Sequence, residues 1–128
     1  FGMPMIYGGQ ESDMDKRLRF LEKDTVPWGQ YRSMSFYRLI NDLHHHYTPL
    51  FNGEFGAKAV QLVEEGNVLY YERSDADYSV RVVINLSGEA AEFTPDGLDG
   101  YRATFNRQNL SKTTWEPWGF EVFVKALS

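Results

Sequence analysis

The chain contains no cysteine, which excludes disulfides and thiolate metal sites. The absence leaves the compartment open, because secreted proteins need not use disulfides. No apolar run approaches the roughly 18 residues that a membrane-spanning helix requires. Basic residues are in the minority: 13 lysines and arginines face 18 aspartates and glutamates, for a formal net charge of −5. They form no stripe, which argues against nucleic acid or any other phosphate-backbone ligand. No His-x-x-x-His pair occurs, and prolines number only five. Aromatic residues, by contrast, make up 16% of the chain. A length of 128 residues sits where single domains are commonest.

The first residue is Phe1 rather than an initiator methionine. A signal peptide would sit at the true N-terminus, so localisation is unreadable. Phe1 to about Gly8 reads as one buried parallel strand. Such strands are covered on both faces and take their neighbours from the same chain through helical crossovers, so the segment reads as the back end of something larger. Gly9 to about Arg32 forms a long charged loop with aromatic interruptions, a length unusual in a compact domain unless the loop is functional. From about Ser33 the period changes. Phe36, Leu39, Ile40, Leu43 and Tyr47 recur at spacings of three and four, the stripe of an amphipathic helix. Ser33 or Ser35 can cap its start, and Pro49 biases Thr48 away from helical geometry and ends it.

Beyond Pro49 short strands take over. Residues 57–64 and 68–73 flank Glu65-Gly66-Asn67, in which Gly66 and Asn67 can both take positive φ, and so read as a hairpin. Tyr78, Val80, Val82, Ile84 and Leu86 alternate with Ser79, Arg81, Val83 and Asn85, which predicts the first set buried and the second on the opposite face. Residues 90–94, 101–106, 112–116 and 120–126 follow, separated by Pro95-Asp96-Gly97, Asp99-Gly100 and Pro117-Trp118-Gly119. Seven short strands at this spacing suggest a sandwich or a barrel.

The motifs also carry a resemblance. Gly2-x-Pro4-x-Ile6-Tyr7-x-Gly9-x-Glu11 resembles the eighth-strand signature of the α-amylase family of glycoside hydrolases. Lys16-Arg17-Leu18-x-Phe20-x-Glu22-Lys23-Asp24, with Trp28 beyond it, is similar to the loop that follows that strand. Phe36-Tyr37-x-Leu39-Ile40-x-x-Leu43-His44 resembles the last barrel helix, with His44 where the family commonly has Arg. Tyr47-Thr48-Pro49-Leu50-Phe51-x-Gly53 and Val82-Val83-Ile84-Asn85-Leu86-Ser87 resemble the entry to, and a strand of, the family's C-terminal sheet. The ordered set spans about two thirds of the chain. The resemblance implies a mainly β fold: residues 1–49 as the terminal strand, loop and helix of a (β/α)₈ catalytic barrel, and residues 50–128 as an antiparallel, Greek-key-like β-sandwich. It further implies a parent enzyme that hydrolyses or transfers α-glucosidic bonds of starch-like glucans through a covalent glycosyl-enzyme intermediate. The partners it implies are α-glucan or malto-oligosaccharide, bound by the parent, and the rest of the barrel.

A retaining glycosidase needs two carboxylates about 5 Å apart. The family places these at the ends of earlier barrel strands, so the resemblance assigns no catalytic residue to this chain. Glu11 matches a strand-eight glutamate outside the catalytic set, expected to hydrogen-bond neighbouring loops. Calcium in the parent would lie in earlier loops, and no cofactor is expected here. His44-His45-His46 is not expected to hold a metal, since successive helical residues point about 100° apart. Trp28 is the one candidate substrate-binding residue, because its loop lies on the substrate side of a complete barrel. Trp115 and Trp118 are expected to pack in a core or a domain interface. If both were instead exposed, they would form the platform of a carbohydrate-binding module; if both were buried, a purely structural or assembly domain would be favoured. The mixed-sign tracts 13–19 and 72–77 read as solvated loops.

Overall fold

The computed structural model describes residues 5–29 and 31–128. Two compact units divide the chain, Phe1–His46 and Tyr47–Ser128.

In the first unit, the strand expected at residues 1–8 lies partly outside the described residues. Its described part, residues 5–8, is not a strand, and Met5, Ile6 and Tyr7 are exposed. The expectation of a buried strand therefore fails there: the chain turns instead, Tyr7 N donating to Gln10 Oε1 and Tyr7 O accepting from Gln10 N. A 3₁₀ turn at Gln10–Ser12 follows, entered through Gly9 at φ 99°. That positive φ favours glycine, and a β-carbon there would also crowd the Met14 side chain at 2.9 Å. The loop then runs irregularly to the helix α1, Met34–His46, which packs near the 3₁₀ turn. Leu43 is buried, Leu39 and Ile40 are half-buried, and the three histidines fill the last turn, where polar or cationic groups suit the helix dipole. The second unit begins with another 3₁₀ turn, Thr48–Leu50, in which Pro49 sits early, where its missing N–H costs nothing.

The second unit is built on β1 (Val60–Glu65), β2 (Val68–Ser74), β3 (Tyr78–Asn85), β4 (Ala91–Glu92), β5 (Arg102–Ala103), β6 (Thr114–Trp115) and β7 (Phe120–Ala126). One sheet has the order β1-β2-β3-β7-β5, and β4 pairs with β6; every pairing is antiparallel. The β1–β2 hairpin turns on Gly66 at φ 59°, while Asn67 keeps a negative φ, the pattern of a turn whose first central residue alone must be left-handed. A bulge between Gln61 and Val63 interrupts β1.

The buried faces differ from the alternation read in the sequence. Directly opposed residues of neighbouring strands share a face, and the main core lies on the Val83 side: Val68, Tyr70, Val83 and Phe123, with Ala103, and Phe93 and Trp115 from beyond the five-stranded sheet. The opposite face is covered too. Val80 and Val82 are buried, and Arg73, paired with Val80, reaches the carbonyls of Ala57 (2.7 Å) and Phe51 (2.9 Å), clamping the segment that leads into β1. Gly56 permits this approach, since a β-carbon there would lie 1.9 Å from the Phe51 oxygen. Leu86, expected inside, is exposed. Among the described residues the fold is thus mixed, one α-helix with a multi-stranded antiparallel sheet.

Candidate functional site

Trp28 lines an open cleft of about 610 Å³ in the first unit, together with Ser12, Asp13, Asp15, Pro27 and Arg32. The cleft is assembled by tight local turns. Asp13 follows the 3₁₀ turn in a left-handed conformation (φ 55°), which returns the chain so that Asp13 accepts a hydrogen bond from Ser33 Oγ at the start of α1. Gly29, at φ 135°, turns the chain after Trp28. The Trp28 indole is 55% exposed and stacks on Tyr31, with ring centroids 6.4 Å apart and planes 21° from parallel. An aromatic face bordered by two carboxylates and a guanidinium can hold a ligand with an apolar side and a polar rim.

Asp24 organises the same loop. It accepts from Lys16 Nζ (2.9 Å), Arg19 N (3.1 Å) and Thr25 N (2.7 Å). The Lys16 hydrogen bond, followed by the two backbone N–H groups, lowers its pKa to about 2. Glu11 accepts from Gly9 N at 3.2 Å and so braces its own turn.

Trp115 and Trp118 part company. Trp115 is fully buried and donates from Nε1 to the Phe93 carbonyl at 2.9 Å, as a core residue should. The two-tryptophan platform is therefore not formed. Trp118 is 65% exposed, so it is not a core residue of this unit.

Three polar clusters in the second unit escaped the sequence reading. Arg81 donates from Nε to Glu72 (2.7 Å) and from Nη1 to the carbonyls of Asp96 (3.1 Å) and Gly97 (2.8 Å) and to Tyr70 OH (3.2 Å). Its guanidinium lies 5.0 Å from the Tyr101 ring centre, and Tyr101 OH and Ser79 Oγ complete the shell of Glu72. Burial pushes the Glu72 carboxyl up, yet the hydrogen bonds from Arg81 and Ser79 and the Arg81 charge outweigh it and leave the pKa below its ordinary value. Glu121, fully buried, accepts from the N–H groups of Thr104, Phe105, Asn106 and Val122 and from Asn109 Nδ2. Asn85 donates to the carbonyls of Glu89, Trp115 and Glu116 and accepts from Ser87, which explains the Asn-x-Ser pattern at the end of β3. Of the 72–77 tract read as a solvated loop, Glu72, Arg73 and Ser74 belong to β2, in keeping with the strand read over 68–73, and Asp75 closes the turn to β3 by accepting from Thr48 Oγ1 and the N–H groups of Asp77 and Tyr78.

No family model and no curated protein matches the chain. Solved structures do. A trehalose-6-phosphate hydrolase from Bacillus licheniformis aligns over 72% of this chain and 18% of its own, with 24% identity and a TM-score of 0.52. An isomaltulose synthase from Erwinia rhapontici with bound D-glucose aligns over 70% and 17%, with 19% identity and a TM-score of 0.53. An isomaltulose synthase from Klebsiella sp. aligns over 73% and 17%, with 16% identity and a TM-score of 0.51. The likeness is one of fold. This chain spans less than a fifth of the length of each of these enzymes. Among the described residues, no helix is long and apolar enough to cross a membrane.

Proposed function

We propose that the chain is the C-terminal portion of an α-amylase-like glycoside hydrolase acting on α-glucosidic bonds of starch-like glucans. Residues 1–49 would complete the catalytic barrel and shape one substrate loop, and residues 50–128 would close as a β-sandwich that covers the barrel helices. The observation that carries the reading is the fold likeness to carbohydrate-active enzymes over some 70% of this chain but only 17–18% of theirs, which supports the same assignment as the order of the sequence motifs. The Trp28 cleft adds to it: an exposed indole beside Asp13, Asp15 and Arg32 suits the C–H face and hydroxyl rim of a glucose unit. The catalytic carboxylates belong upstream, and the chain's own part is positioning.

The test is kinetic. In a product extended through the reading frame upstream of Phe1, Trp28→Ala should raise KM for malto-oligosaccharides several-fold while kcat stays nearly unchanged, as for a group that binds ground and transition states alike. An unchanged KM would remove Trp28 from the substrate site. An extended product that cleaves no α-glucoside would overturn the whole reading.

A further inference from the structure

Trp118 occupies a backbone conformation that its side chain makes costly. It sits at φ 59°, in the left-handed region where a β-carbon is strained and glycine is not. Burial of the indole offers little in return, since the residue is 65% exposed. The turn around it is fixed on every side. Trp118 N donates to Ser87 O (2.9 Å), Gly119 N donates to Glu116 O (2.8 Å), and Asn85 N donates to Gly119 O (2.8 Å). Gly119 cannot relieve the strain: it is needed where it stands, because a β-carbon there would lie 2.9 Å from the Glu116 oxygen. A rigid, strained turn thus presents a large aromatic plane to solvent.

The surroundings narrow the ligand. The Glu116 carboxylate passes 3.3 Å from the β-carbon position of Gly119, and Lys112 Nζ pairs with it at 2.6 Å while lying 5.2 Å from the Trp115 ring centre. The hydrogen bond from Lys112 lowers the Glu116 pKa and keeps an ionised acceptor beside the turn. Leu86, also exposed, adjoins the anchor Ser87. We propose that Trp118 is a saccharide-binding platform, in which the C–H face of a pyranose ring stacks on the indole and its hydroxyls reach the Glu116–Lys112 pair. A single ring bordered by an ion pair matches one sugar unit better than a protein partner, which would demand a broader contiguous apolar patch. The site lies on the second unit and does not rest on the barrel assignment.

The experiment is a ¹⁵N-detected titration of the indole N–H signals with maltoheptaose and, separately, cellohexaose, alongside thermal unfolding of Trp118→Gly. The Trp118 signal should shift saturably in the millimolar range with at least one sugar, while that of buried Trp115 stays still. Trp118→Gly should melt at a higher temperature and lose the accompanying shifts of the Ser87 and Glu116 amides. Three results would each overturn the proposal: no saturable Trp118 shift with either sugar, amide shifts retained in Trp118→Gly, or a lower melting temperature for that variant. Shifts confined to Trp28 would do the same while leaving the cleft assignment standing.

Discussion

Arg81→Ala removes the guanidinium that joins β3 to the 95–98 loop. The Glu72 carboxylate would keep only neutral partners, Ser79 Oγ at 3.0 Å and Tyr101 OH at 3.2 Å. The Asp96 and Gly97 carbonyls and Tyr70 OH would lose a donor. Breaking a fully buried ion pair costs about 3–5 kcal/mol, and a hydrogen bond to a charged group contributes about 1.5–3 kcal/mol. The side chains of Arg81 and Glu72 are 19% and 25% exposed, so water recovers part of the loss. We expect a destabilisation of about 2–3 kcal/mol in urea melts at neutral pH. Its pH dependence has a definite sign. The Glu72 pKa is depressed in the folded state, so the pair's contribution is complete above the ordinary carboxylate value and is lost as pH falls through the folded value. The gap between the native protein and the variant should therefore narrow in acid. A cost below about 0.5 kcal/mol, the size of a surface substitution, would refute the reasoning, as would a gap that does not change with pH.

Glu121→Gln places a donor among donors, because both carboxylate oxygens already accept N–H groups of the 104–109 segment. The expected loss is about 2–4 kcal/mol in denaturant melts, with faster amide exchange at Phe105 and Asn106; exchange unchanged at those two amides would show that Glu121 does not order the segment. A carboxyl-carbon NMR titration should give Asp24 a midpoint near 2, and Lys16→Ala should move it toward 3.8; because the shift is downward, the loop's clamp persists above 3.8 and is released as pH falls through about 2. A midpoint insensitive to Lys16 would mean that the backbone donors alone set it.

The helix was legible because Phe36, Leu39, Ile40 and Leu43 keep a period that only one conformation can bury on one side. The seven strands were legible as segments, though three shrink to two residues each where loops rather than ladder bonds hold the chain. What alternation could not reveal was the inner face. Ser79, Arg81 and Asn85 look solvent-facing by type, yet Ser79 and Asn85 are buried and all three are satisfied by partners far along the chain, many of them backbone groups that carry no sequence signal. Glu121 hides for the same reason. Trp28 could be singled out from its place in the long loop, but Asp13 and Arg32 join it through irregular turns that no periodicity encodes. The left-handed φ at Trp118 was equally hidden, since glycine stands one residue later and is the natural candidate for it.

The proposed function assigns this chain a supporting part in a longer α-glucoside hydrolase. Turnover of a nitrophenyl maltoside, measured side by side for the purified chain and for the product extended upstream of Phe1, tests it most directly. The account predicts release of nitrophenol by the extended product and none above buffer by the chain alone. Turnover by the chain alone that disappears on Glu11→Gln or Asp13→Asn would contradict it.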